Sequence, residues 1–196
     1  MRFVPSSVCI ALLSAAAQAQ SPDERPREGA YIDVSAAYAG VGLSTSGCAG
    51  ADCISSQSTG GLAWSVALGM TLNAHWRLGL QLDTRPATFG AGVTEEADFY
   101  TFAGTWYPME DKSFWIRGNL GLGTVKLTMS SPPPASATTA AFGGGIGFDF
   151  FPSRWQFAIV PFASYLAQVT SADLGGAHGR AQMRMLQAGV AFGLRH

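Results

Sequence analysis

The chain has 196 residues and a net charge of −1, so it lacks the basic balance expected of a nucleic-acid-binding protein. Charged residues make up only 13% of it, against about 25% in an average soluble domain, and glycine occurs 24 times. The mean hydropathy is positive. However, the most apolar candidate for a spanning helix, residues 155–172, contains glutamines and a proline and falls short of about 20 mainly apolar residues. These features favour a membrane β-barrel over a soluble domain or a helical membrane protein.

The N-terminus has the pattern of an export signal. Arg2 supplies a positive charge, residues 3–13 are mainly apolar, and small residues precede an Ala17-Gln18-Ala19 ending. We therefore predict a signal peptide over residues 1–19, a flexible segment over residues 20–28 and one barrel domain over residues 29–196. A buried N-terminal helix is the alternative interpretation of the same residues.

Alternating apolar and small or polar residues dominate the rest of the sequence. Between Leu62 and Leu72 every second residue is bulky and apolar, and the residues between them are small or polar. Because successive side chains of a strand point to opposite faces, each such segment has one apolar face. The pattern recurs about eight times. It predicts an all-β fold, a transmembrane up-and-down antiparallel β-barrel of about eight strands.

Two of these strands have a less certain register, over residues 97–107 and 155–169. In the first we expect the larger aromatic residues to point outward, because small residues alternate with them. In the second, Pro161 lacks a backbone donor and could mark a bulge. The residues expected to face outward in these two strands are Tyr100, Phe102, Trp106, Phe157, Ile159 and Tyr165.

The predicted connections alternate between short and long. Short ones fall at residues 73–75, 108–113 and 152–154, and long ones at residues 43–60, 86–96, 128–139 and 170–180. Outer-membrane barrels have short periplasmic turns and longer outer loops, which this alternation matches. Aromatic residues flank the short turns and predict a girdle at the periplasmic membrane surface: Trp76, Trp106, Tyr107, Phe114, Trp115, Phe150, Phe151 and Trp155.

Charged residues on the strands decide which face is inside. They share a face with the small residues, and each Arg facing the lipid midplane would cost about 2–4 kcal/mol. We therefore predict a polar network that fills a narrow lumen and closes it. Its members are Asp33, Arg77, Asp83, Arg85, Arg117 and Asp149. A soluble barrel with an apolar centre is the alternative fold, but its outer surface would not need small residues.

Two cysteines, Cys48 and Cys53, lie close together in a segment rich in glycine, serine and alanine. In an oxidising compartment they are expected to form a small-loop disulfide. No further cysteine or histidine lies near enough in sequence to complete a metal site. We expect no cofactor and no metal.

The mature sequence resembles the small outer-membrane β-barrel family of outer membrane proteins A and X. The resemblance covers residues 29–196 and is carried by the export signal, by amphipathic strands such as Trp64–Leu72, and by the final strand from Leu186. It implies the outer membrane of a Gram-negative bacterium, contact with lipid and lipopolysaccharide, and folding by the barrel-assembly machinery. His196 stands where such proteins usually end in an aromatic residue.

Three functions remain open from sequence. The first is a structural or surface-interaction role, adhesion-like and without catalysis, in which the outer loops contact host or cell-surface ligands. The second is an enzyme that modifies lipid A, although no nucleophile, base and orienting group can be assembled from the sequence. The third is a narrow channel for small hydrophobic solutes.

Overall fold

The computed structural model describes residues 29–46, 56–89, 93–109, 113–128, 135–151, 157–173 and 180–195. Eight long strands and one two-residue strand follow in chain order: β1 Gly29–Ser46, β2 Ser56–Thr71, β3 Trp76–Phe89, β4 Val93–Trp106, β5 Phe114–Thr128, β6 Ala135–Phe148, β7 Phe157–Gln168, β8 Ala172–Asp173 and β9 Arg180–Arg195. Within these ranges, no helix has the length and apolar character needed to cross a bilayer.

The eight long strands close into a barrel. Each pairs antiparallel with its neighbour in sequence, β7 pairs with β9, and β9 pairs back with β1. Following paired residues once around the wall leads from β1 back to β1 ten residues farther on: Ile32, Leu68, Leu80, Phe102, Leu120, Phe142, Ala167, Arg184 and Gly42. Eight strands with this stagger give an interior that side chains can fill. The predicted fold class is confirmed.

The barrel has two ends, which we name by their connections. The turn end is where β2 connects to β3, β4 to β5 and β6 to β7, and it also holds the first residue of β1 and the last of β9. The loop end is where β1 connects to β2, β3 to β4, β5 to β6 and, through β8, β7 to β9. The strict alternation of short and long connections was wrong, because β3 ends at Phe89 and β4 begins at Val93, which leaves a short connection at the loop end. The strands instead continue through much of what the sequence suggested was loop.

The outward face is apolar from the turn end to a ring of tyrosines. Because the strands are staggered by ten residues per circuit, positions of equal height shift by a little more than one residue per strand. Tyr38, Tyr100 and Tyr165 therefore share one height, and all three are exposed. Trp76 and Trp106 are exposed at the turn end. Amphipathic aromatic side chains favour both membrane surfaces. The three tyrosines at one end and the two tryptophans at the other therefore bound the lipid-facing band.

Two residues of the predicted turn-end girdle point the other way. Tyr107 is 1% exposed and Trp115 is 2% exposed. Both face the lumen, where each donates a hydrogen bond to the buried carboxylate of Asp149. Phe150 stays at the rim, with its ring centroid 4.9 Å from that of Phe148, and Phe151 packs against a lumen cluster. Trp155 lies outside the described residues.

The two uncertain strands have the predicted facing. Tyr100, Phe102, Trp106 and Tyr165 are exposed, while Phe157 and Ile159 are partly exposed and alternate with buried residues. Pro161 produces no bulge, since the register between β7 and β9 runs unbroken past it. On its other side, the ladder between β6 and β7 stops at Gly147 and Phe162 and resumes only at a bridge between Phe150 and Ile159. The missing donor therefore interrupts the pairing but does not shift it.

Candidate functional site: the lumen and the loop end

The turn end of the lumen is closed by one buried ion pair. Arg77 Nη1 lies 2.8 Å from Asp149 Oδ2, and the two side chains are 4% and 1% exposed. Asp149 also accepts hydrogen bonds from Tyr107 Oη at 2.9 Å and from Trp115 Nε1 at 3.0 Å. The Arg77 guanidinium lies 4.7 Å from the Tyr107 ring centroid. Three donors on one carboxylate, with an aromatic ring beside the cation, make a rigid plug.

A second polar layer fills the middle of the barrel. Asp83, which is 0% exposed, accepts from Gln81 Nε2 at 2.9 Å and from Gln187 Nε2 at 2.8 Å. Gln81 Oε1 in turn accepts from Arg117 Nη1 at 2.9 Å. Asn119 Nδ2 bridges this layer to Thr101 Oγ1 at 2.9 Å. The amide of Gln81 therefore stands between the carboxylate and the guanidinium.

The loop-end part of the lumen is apolar. Its inward side chains are at most 2% exposed and form one cluster: Val41, Leu43, Phe99, Val125, Leu166, Met183 and Met185. Gln168 crosses this layer, donating to the Gly123 carbonyl oxygen at 2.8 Å and accepting from the Met183 amide at 3.0 Å. Arg85 lies here at 1% exposure, with its Nη2 3.2 Å from the position a Cβ would take at Gly61. The glycine makes room for the guanidinium.

The outward face changes character at the height where the lumen becomes apolar. Beyond the tyrosine ring, with the exception of the exposed Val169, the outward residues are small, polar or charged: Gly40, Gly42, Ser44, Glu96, Asp98, Thr124, Lys126, Thr138, Gln182 and Arg184. On β4 and β5, Lys126 Nζ lies 3.0 Å from Glu96 Oε2 and 2.9 Å from Asp98 Oδ2. Thr84 Oγ1 donates to Asp98 Oδ1 at 2.7 Å.

The polarity of the wall therefore inverts at the tyrosine ring. Below it, apolar side chains point out and polar ones point in, as lipid surroundings require. Above it, apolar side chains point in and polar ones point out, as in a soluble protein. The ring therefore marks the boundary of the lipid-facing band, and the wall beyond it has a polar outer face and an apolar core of its own.

The structure places the six residues of the predicted lumen network on the inward face, in three layers. It brings Arg77 and Asp149 into contact, and Asp33 adds a second negative charge near Arg77. It links Arg117 to Asp83 only through Gln81. Arg85 belongs to the apolar layer. Among these six, Arg77 and Asp149 form a direct ion pair.

Sequence reasoning missed several residues that complete these layers. Tyr107 and Trp115 have the same strand parity as Thr105 and Arg117, and that parity was the signal available to find them. The apolar layer was missed because a polar lumen was expected throughout. Met183 and Met185 lie on the parity of Gln187, so their inward facing could also have been read from the sequence.

Groups for catalysis or metal binding are sparse in the described part of the chain. There, no cluster of three or more His, Cys, Asp or Glu side chains could hold a metal ion. His75 is at the turn end, with Nδ1 2.8 Å from the Tyr107 carbonyl oxygen. Cys48, Cys53, His178 and His196 lie outside the described residues.

Comparison with known proteins agrees with this architecture. The model of the outer membrane protein β-barrel domain family matches residues 6–193, and the chain belongs to that family. It is a protein of the outer membrane. No curated protein matches the sequence at a significant level.

Solved structures of the same shape have little sequence in common with this chain. Neisserial surface protein A is 11% identical with a TM-score of 0.62, over 88% of this chain and 100% of its own. The attachment invasion locus protein of Yersinia pestis, solved with the heparin analogue sucrose octasulfate, is 15% identical with a TM-score of 0.52, over 85% and 99%. Outer membrane protein OprG from Pseudomonas aeruginosa is 13% identical with a TM-score of 0.51, over 87% and 98%. At such identities the likeness concerns the fold alone.

Proposed function

We propose that this protein is a non-conducting, non-catalytic outer-membrane barrel that acts in surface interaction or as a structural element, with its loop end facing the exterior. The observation that carries the proposal is the filled lumen. Asp83, Phe99, Met183 and Met185 are all 0% exposed, which supports a lumen that is closed to water and solutes in its middle and loop-end layers. The surface available for interactions is then the part of the barrel beyond the tyrosine ring, together with the connections at the loop end.

The names of the similar structures fit such a role without establishing it. One is a surface protein, and another is an attachment invasion locus protein that was solved with a heparin analogue. We extend to this chain only the general idea of an exterior ligand that contacts the loop end. Lipopolysaccharide around the barrel and the barrel-assembly machinery during folding are the other partners we propose. The signal peptide and the disulfide remain predictions.

Ion conductance tests the filled lumen. The purified protein, reconstituted in planar lipid bilayers, should give no steady current under an applied voltage, because every lumen layer is packed with side chains. A porin inserted in the same bilayers is the positive control. Reproducible single-channel steps that depend on this protein would contradict the closed lumen and the function proposed from it.

Passage of small hydrophobic solutes is the second candidate, and one feature of the wall favours it. The ladder between β2 and β3 ends at Trp64 and Thr84, although both strands continue. Pro86 would oppose Leu62 in the next pairs and has no amide to donate. This unpaired stretch of the wall lies beside the apolar layer. Uptake of a small apolar dye by cells with and without the protein separates the candidates, since only a passage makes uptake protein-dependent.

A further inference from the structure

The outward face of β9 carries a cation at the level of lipid headgroups. Arg184 is exposed and lies just beyond the tyrosine ring, paired with Gly42 of β1 and Ala167 of β7. The outward positions of β1, β7 and β9 contain no acidic residue. Asp173 of β8 pairs with Arg180, four residues farther from the membrane. Lys126, on β5 and somewhat farther beyond the ring, instead contacts two carboxylates.

Small residues leave the wall beside Arg184 almost bare. Gly40 and Gly42 occupy the neighbouring outward positions of β1, and a Cβ added at either would meet nothing within 4 Å. Leu186, directly below Arg184, is 62% exposed. A bulky group can therefore approach the guanidinium along the wall from the membrane side.

Two shallow apolar grooves lie below this cation, in the lipid-facing band. The first runs along the contact of β1 and β9 and is lined by Ala36, Tyr38, Leu62, Val190 and Phe192, among others. The second lies toward β6 and β7 and is lined by Gly144, Ile146, Ala163, Tyr165 and Leu186, among others. One exposed guanidinium above two grooves matches a lipid with a phosphate at its head and several acyl chains.

We propose that Arg184 and these grooves form a binding site for lipid A, with the guanidinium binding a lipid A phosphate and the grooves taking acyl chains. Anionic phosphate is the membrane group that can neutralise an interfacial arginine, and a guanidinium binds it through two parallel hydrogen bonds. The proposed function turns the loop end toward the exterior, where lipid A forms the outer leaflet, and its several chains can occupy both grooves. The site depends on the outer-membrane location and is independent of whether the lumen conducts.

Native mass spectrometry of the full-length protein tests the site. The probes are diphosphoryl lipid A, the same lipid with both phosphates removed, and phosphatidylglycerol, each titrated into detergent micelles. Arg184→Gln should weaken binding of diphosphoryl lipid A about tenfold, the loss of one charge-assisted contact. Lys126→Gln is the matched control and should leave binding unchanged, since that cation is already held by Glu96 and Asp98. Heat-modifiable gel mobility verifies that both variants fold.

Several results would overturn the proposal. Equal affinity of the native protein for phosphorylated and dephosphorylated lipid A would show that the phosphates do not contribute to binding. Equal affinity for phosphatidylglycerol would show a site for any anionic lipid. No effect of Arg184→Gln, or an equal loss in Lys126→Gln, would show that this guanidinium does not select the lipid. Filling the first groove with Ala36→Trp should lower the affinity for both forms of lipid A, and an unchanged affinity would exclude that groove.

Discussion

Replacing Asp149 with alanine should destabilise the barrel by about 3–5 kcal/mol, the cost of leaving a buried charge without its partner. The substitution removes the carboxylate that binds Arg77 Nη1 at 2.8 Å and accepts from Tyr107 and Trp115. The free energy of unfolding, measured by urea titration of the protein refolded in lipid vesicles, gives the result directly.

A double variant and a surface control make this expectation specific. Arg77→Met combined with Asp149→Leu should cost less than Asp149→Ala alone, because apolar side chains replace both charges. Glu96→Ala, which removes an exposed carboxylate from Lys126, should cost less than about 1 kcal/mol. If Asp149→Ala were as mild as Glu96→Ala, the turn-end plug would not contribute to stability as its burial implies.

Replacing Leu80 with arginine should cost about 2–4 kcal/mol, because it places a charge in the middle of the lipid-facing band. Leu80 is 60% exposed and pairs with Leu68 and Phe102, both of which also face outward. The matched control is Ser44→Arg, the same new side chain on the same face but beyond the tyrosine ring. It should change stability by less than about 0.5 kcal/mol.

Folding yield and urea midpoints in vesicles compare the two arginine variants under one condition. A cost for Ser44→Arg equal to that for Leu80→Arg would place both positions in lipid. A small cost for both substitutions would indicate that Leu80 does not face lipid. Either result would contradict the position assigned to the tyrosine ring.

The strands inside the membrane could be predicted because lipid imposes one rule on every outward residue. Leu62 to Leu72 alternates without a break, and the structure pairs and orients these residues as the alternation indicates. Beyond the ring the rule reverses. On β1, Tyr38 points outward while Val41 and Leu43 point inward, so the phase of the apolar positions shifts by one residue. This shift was interpreted as the start of a loop, although pairing continues to Ser46.

The contacts inside the lumen depend on the stagger of the barrel, which the alternation does not reveal. Arg77 and Asp149 are 72 residues apart and meet only because β3 and β6 face each other across a narrow interior. Asp83 lies on the inward face with the lumen arginines, as an ion-pair partner would, yet the side-chain amides of Gln81 and Gln187 donate hydrogen bonds to it. The alternation predicts which face of the strand a residue occupies. Its hydrogen-bond or ion-pair partner depends on which residues of other strands lie at the same height in the lumen.

The inversion of polarity at the tyrosine ring is the central claim, and spin-label accessibility along β1 tests it most directly. Nitroxides attached at single cysteines replacing Val34, Tyr38 and Ser44, in a background with the native cysteines changed to serine, report collisions with oxygen in lipid and with a water-soluble nickel complex. All three positions point outward. Oxygen should dominate at position 34, the two should be comparable at position 38, and nickel should dominate at position 44. Oxygen dominating equally at all three positions would contradict the boundary, because the loop end would then be immersed in lipid.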